Sequence, residues 1–141
     1  MKYHKQLFKH DPANGSHGDC QRTCIACLLD KELDEVPNFG IHYDDTDKFQ
    51  EMLDTYLASV GYLVVQLHFT GDVSPQEILT YVGTNNARSK YMLCGRTDRG
   101  FNHVVICEGT SFLHDPHADN TFINGPCDDG YYWLNLLIPI L

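Results

Sequence analysis

The sequence predicts an α+β fold, because helical periodicity fills its first half while short β-branched and aromatic runs fill its second. Two helical stripes precede Gly61. The strand-like runs that follow are separated by turns rich in Gly, Asp and Asn, with one further short helix between the first run and the rest. No repeat, linker or low-complexity segment divides the chain, so residues 1–141 are read as a single domain.

Residues 1 to 18 contain His10-Asp-Pro-Ala-Asn-Gly-Ser-His-Gly18, a run of turn formers without periodicity, and are read as a loop. Asp19 is placed to cap a helix over Cys20 to Leu29, whose Cys20, Cys24, Cys27 and Leu28 fall on one stripe. Pro37 and Gly40 end the segment after it. A second helix starts at Asp45 and carries Phe49, Met52, Leu53, Tyr56, Leu57 and Val60 on one face until Gly61 stops it. Tyr62 to His68 is too short for a free-standing helix and reads as a strand. Ser74-Pro-Gln-Glu77 is a capping-box pattern opening a helix to about Val82, and Gly83-Thr-Asn-Asn86 ends it. Strands are then expected at Tyr91 to Cys94, His103 to Cys107, Ser111 to Asp115 and Tyr131 to Ile138.

Charge narrows the function classes. Ten Lys and Arg against nineteen Asp and Glu give a net charge of −9, and no segment gathers the cations into a patch that neutralises phosphates. Nucleic-acid binding is therefore not expected. No apolar stretch approaches the ~20 residues of a membrane span, and the N-terminal residues have neither the apolar block nor the cleavage site of an export signal. A cytoplasmic location follows as the expectation, in which the six cysteines stay thiols.

Cys20 follows Gly18-Asp19 at the start of a helix, where unpaired amides and the helix dipole favour a thiolate. Downstream, Asn102-His-Val-Val-Ile-Cys107 and Ser111-Phe-Leu-His-Asp-Pro116 are joined by Glu108-Gly-Thr110. A hairpin with that three-residue loop sets His103 opposite Asp115. A carboxylate that orients an imidazole, and an imidazole that holds a cysteine as thiolate, make a Cys-His-Asp triad.

Those blocks resemble papain-like cysteine peptidases. Gly18-Asp-Cys-Gln-Arg-Thr-Cys-Ile-Ala-Cys-Leu-Leu29, Asn102-His-Val-Val105 and His114-Asp-Pro116 are, within that clan, similar to the bacteriocin-processing peptidase domains of ABC exporters. The likeness is stronger still to uncharacterised bacterial and phage proteins with a Gly-Asp-Cys helix start, a segment like Val36-Pro-Asn-Phe39 and one like His114-Asp-Pro-His117. The resemblance implies a papain-like α+β domain in which the Cys20 helix packs on an antiparallel sheet carrying His103 and Asp115. It implies a hydrolase or acyl-transfer enzyme, peptidase- or amidase-like, acting on a peptide, amide or thioester without a cofactor or metal. The exporter peptidases place Gly after the nucleophile, where this chain has Gln21, and a Gln about six residues before it for the oxyanion. Here that position is Asn14, so Asn14, His17 or a backbone amide at the helix start is the expected oxyanion donor.

Other readings of the same residues compete. Cys24 and Cys27 suit small buried hydrophobes, and Cys20, His103 and Asp115 taken singly could be a core thiol, a core histidine and a turn starter. Cys20-x3-Cys24-x2-Cys27 has the spacing of radical enzymes that bind an iron–sulfur cluster, but on a helical stripe rather than on a loop of a large barrel. Zinc could be held by these cysteines with His17, or by His114, His117 and Asp119, although no second Cys-x2-Cys pair is present. The rival classes are thus an inactive papain-like binding protein that engages a host partner, and a zinc-binding regulator. The second His-Asp-Pro triplet, at residues 10 to 12, reads as turn chemistry.

Overall fold

The computed structural model describes residues 1–140, in which three α-helices and one five-stranded antiparallel sheet make a mixed α+β structure. The helices are α1 (Cys20–Leu28), α2 (Thr46–Ser59) and α3 (Pro75–Gly83). The strands are β1 (Tyr62–Thr70), β2 (Lys90–Arg96), β3 (Asn102–Glu108), β4 (Ser111–His114) and β5 (Tyr131–Pro139), in the order β1-β5-β2-β3-β4. Every expected helix and strand is present. Three short 3₁₀ turns at Pro12–Asn14, Leu33–Glu35 and Phe39–His42 were not foreseen, because a single turn leaves no periodic signature.

The local signals act where the sequence puts them. The Asp45 side chain accepts a hydrogen bond from the Lys48 amide at 3.1 Å and starts α2. Ser74 does the same for the Glu77 amide at 3.2 Å, with Pro75 next in the first turn of α3. Asp19 departs from expectation: it sits at the N-cap position, but its carboxylate makes no cap bond to α1.

Strands buried on both faces send alternate residues to two cores. On one face, α1 and α2 contribute Cys24, Ile25, Ala26, Cys27, Leu53 and Leu57, which meet Met92, Val104 and Ile106 of the sheet. On the other face, Ile78 and Leu79 of α3 meet Tyr91, Leu93, Val105, Cys107, Tyr132 and Leu134. Each fully buried Leu or Ile contributes about 1.5–3 kcal/mol.

The β3–β4 hairpin corrects one expectation. Its tight turn pairs Glu108 with Ser111, and a bulge between Ile106 and Cys107 then brings His114 opposite Ile106. Asp115 therefore lies past the end of the ladder and not directly opposite His103. The turn itself is clamped: the Gly109 carbonyl accepts a 2.8 Å bond from the Tyr91 hydroxyl, and Gly83 of α3 lies against it.

A Cβ at Gly83 falls 2.1 Å from the Gly109 carbonyl carbon and 2.3 Å from its oxygen, and this backbone cannot yield cheaply. Gly83→Ala is expected to lower stability by at least ~1–3 kcal/mol, as overpacking does. Urea unfolding should show a lower midpoint at an unchanged slope.

Candidate active site

α1 packs across β3, and the Cys24 thiol faces the Val104 carbonyl at 3.5 Å. One helical turn earlier is Cys20, and one strand residue earlier is His103, so that register brings the two together. Burial alone pushes the Cys20 thiol up, but hydrogen bonding and charge from His103 outweigh it and hold the thiol below its ordinary range. Burial likewise lowers His103, and the Asp115 carboxylate, followed by Cys20, more than offsets it, raising the imidazole to about 9. The two shifts describe one thiolate–imidazolium pair.

Asp115 sits behind the imidazole. Its Oδ1 accepts from His103 Nε2 at 2.7 Å and from the His117 amide at 2.8 Å, while Oδ2 accepts from the Phe122 amide at 2.8 Å. With Nε2 committed to Asp115, Nδ1 is the ring nitrogen left for Cys20. Burial pushes the Asp115 carboxyl up, but these donors keep it below the usual carboxylate range. Cys20, His103 and Asp115, read as a set from sequence, are brought together.

The oxyanion candidates fare differently. Asn14 lies in the 3₁₀ turn at Pro12–Asn14, exposed, with its amide donating to Asp11 Oδ2 at 2.7 Å. It does not line the cleft beside Cys20, and neither does His17, whose ring stacks on Tyr43 with centroids 4.0 Å apart. The carboxamides that do line the cleft are Gln6, Gln21 and Asn102, the last with its Oδ1 accepting from the Asp128 amide at 3.0 Å. Gln6 Nε2 gives one proton to the Phe8 carbonyl at 2.6 Å, leaving its second for a ligand, and the Gln6 backbone amide donates to the Pro116 carbonyl at 2.8 Å.

Sequence reasoning missed Gln6 because its place is set by contacts remote in the chain. The buried Asp19 carboxylate accepts from the Leu7 and Phe8 amides at 3.3 and 3.0 Å, and it faces Arg22 at 3.8 Å. Lys5 Nζ donates to the Asp115 and His117 carbonyls at 2.7 and 3.0 Å. The segment expected as a loop is a strap pinned between α1 and the end of β4. Asp19, spent on the strap, leaves the first amides of α1 uncapped by any side chain, ready for an anion beside Cys20.

The cleft has a volume of about 880 Å³, a size suited to a small ligand or a peptide segment. His10, Tyr43, Phe101 and Trp133 give it aromatic walls, and Lys9, Asp128 and Asp129 charged ones. His10 belongs to the triplet read as turn chemistry. It accepts a bond from the Gly18 amide at 3.2 Å and packs edge-on against Phe101 at 5.1 Å, so the turn also builds a wall.

Neither set of side chains weighed for zinc converges as a whole. Cys27 faces the N-terminal strap, His114 Nε2 bonds the His4 carbonyl at 2.6 Å, and His117 pairs with Asp119 at 2.9 Å. Among the described residues, no group of three or more His, Cys, Asp or Glu is arranged to hold a metal. No helix among them is long and apolar enough to cross a membrane. The chain matches no protein-family model, no curated protein and no solved structure.

All six cysteines are free thiols, and burial pushes Cys24, Cys27 and Cys107 up. Iodoacetamide at pH 6 to 8 should therefore modify Cys20 well ahead of these three. His103→Ala removes the cation that holds the thiolate, and the pH midpoint of Cys20 alkylation should move upward. An unmoved midpoint separates the imidazole from the thiol's reactivity.

Proposed function

We propose that this chain is a papain-like thiol hydrolase or acyl-transfer enzyme, peptidase- or amidase-like, acting on a peptide, amide or thioester carbonyl. The observation that carries this reading is a cysteine at a helix N-terminus, paired with an imidazole whose far nitrogen is fixed by a buried carboxylate. The Cys20 thiolate attacks the carbonyl carbon, a C–S bond forms, and the carbonyl electron pair moves to oxygen. The amides opening α1 and the free Gln6 N–H are the donors available to that oxyanion. Collapse of the intermediate expels the leaving group, an amine taking its proton from His103. Neutral His103 then draws a proton from water, or from another acceptor in transfer, whose heteroatom bonds to the acyl carbon; the C–S bond breaks, the acyl product leaves, and Cys20 departs as thiolate beside the protonated His103.

The test uses p-nitrophenyl acetate as a reporter of thiol acylation. An acetyl group on Cys20 in the intact mass, with p-nitrophenol released in a burst, supports the reading. Rapid alkylation without acylation favours the inactive binding protein instead. Gln6→Ala should lower turnover ~10²- to 10³-fold, the usual cost of one oxyanion donor, while Cys20 alkylation stays near its original rate. Asn14→Ala should leave turnover unchanged.

Two limbs are expected in the pH dependence of kcat/KM. Activity rises as Cys20 ionises, at a pH below the ordinary thiol range, and falls as pH climbs through about 9, where His103 loses the proton it must donate. Asp115→Asn should weaken activity less than Cys20→Ala does. It should also lower stability by ~1–3 kcal/mol, because an amide cannot accept from all three donors that Asp115 satisfies. Thermal unfolding beside the esterase assay separates the two effects.

A further inference from the structure

Two cysteines that the proposed chemistry does not use sit in the wall of the same cleft. Cys94 Sγ and Cys127 Sγ are 3.3 Å apart, closer than the ~3.5–4.0 Å optimal for non-bonded carbon atoms, although sulfur is the larger atom. Both are carried by well-anchored backbone. Cys94 is paired within the sheet to Val104 and Trp133. Cys127 closes a turn in which its amide donates to the Tyr131 carbonyl and its carbonyl accepts from the Gly130 amide, both at 2.9 Å. The segment leading to Cys127 lies along the end of β2, where the Arg96 amide donates to the Gly125 carbonyl at 2.8 Å and the Asn124 amide to the Arg96 carbonyl at 2.9 Å. The sulfur contact is thus fixed by backbone bonds on both sides. A disulfide at ~2.05 Å requires the two atoms to close by about 1.3 Å.

We propose that Cys94 and Cys127 form a redox latch, an intramolecular disulfide made by a peroxide-class oxidant that sets the position of one cleft wall. The neighbouring Cys127 thiol and burial hold the Cys94 thiol well above its ordinary range, so it is the minor thiolate of this partly exposed residue that attacks peroxide oxygen; the O–O bond breaks, a sulfenic acid forms, and the departing hydroxide takes up the thiol proton as water. Cys127 sulfur then attacks the Cys94 sulfur, the S–OH bond breaks, and a second water leaves. Overall, two thiols and one hydrogen peroxide give one disulfide and two waters. The wall concerned is Cys127 to Asp129, which borders the cavity and whose side chains and amides are tied to neighbouring strands by the exposed Arg96–Asp128 ion pair, the Asp128 amide to Asn102 Oδ1 at 3.0 Å and Trp133 Nε1 donating to Asp129 Oδ2 at 2.8 Å. A covalent link to β2 fixes that wall. The disulfide is independent of the hydrolase reading, and only its influence on Cys20 touches that site.

The experiment treats the reduced full chain with hydrogen peroxide, blocks remaining thiols with N-ethylmaleimide under denaturing conditions, and maps the peptides. The expected result is a cross-linked pair containing Cys94 and Cys127, reversed by dithiothreitol, with the buried Cys24, Cys27 and Cys107 among the blocked thiols. Cys20→Ala should form the same cross-link, and Cys127→Ser should not. Six blocked thiols, a cross-link to Cys20, or a cross-link lost in Cys20→Ala overturns the pair as the direct target. After arsenite has returned any Cys20 sulfenic acid to the thiol while leaving disulfides intact, iodoacetamide reactivity of Cys20 should differ between the oxidised and reduced wild-type protein and not between peroxide-treated and untreated Cys127→Ser. An equal rate in both wild-type forms overturns the latch, whatever the outcome of the esterase test.

Discussion

The buried Asp115 carboxylate is the constraint on which the site depends. A carboxylate withdrawn from water is tolerated only when its lone pairs are filled, and here the fillers come from separate stretches of chain: the His103 ring, the His117 amide and the Phe122 amide. Phe122 has φ of +59°, a left-handed backbone that a bulky side chain rarely adopts. Its amide bond to Asp115, and its ring stacked on Phe112 at 4.7 Å, hold it there. One anion thus fixes an imidazole, a turn and a strained residue together, and a charge-assisted bond of this kind is worth about 1.5–3 kcal/mol.

A second carboxylate, Asp19, does for the N-terminal strap what Asp115 does for the hairpin end. Had it capped α1, it would have set a negative charge on the amides beside Cys20. By reaching instead to Leu7 and Phe8 it brings Gln6 to the cleft and leaves those amides without a side-chain cap. The residue beside Cys20 therefore governs the environment of the thiol by what it does not bind.

Helices and strands were legible in the sequence because they are local: stripes at Phe49 to Val60, a Pro after Ser74 and β-branched runs between turn formers all act within a few residues. Cys20, His103 and Asp115 were legible as residue types, since each follows a local signal for a helix start, a strand or a turn. The register joining His103 to Asp115 was not, because a bulge at Ile106 and Cys107 leaves no mark in composition. Nor was the role of Gln6, which rests on bonds such as Lys5 to the Asp115 carbonyl, spanning 110 residues. Asn14 had the right chemistry at the expected spacing, but a turn closed by Asp11 holds it on the surface.

The strap has a consequence for how the molecule comes into being. Contacts separated by 80 residues between α1 and β3, and by 110 between strap and Asp115, carry a large loop-closure entropy and form only once the chain between them is in place. A chain emerging from the ribosome shows Cys20 long before the ribosome has made His103. Until they meet, the helix start lacks its imidazolium, and the thiol is an ordinary one. The environment of Cys20 is in this sense a property of the finished tertiary structure, and the order of synthesis keeps its sulfur from meeting the His103 ring until most of the chain exists.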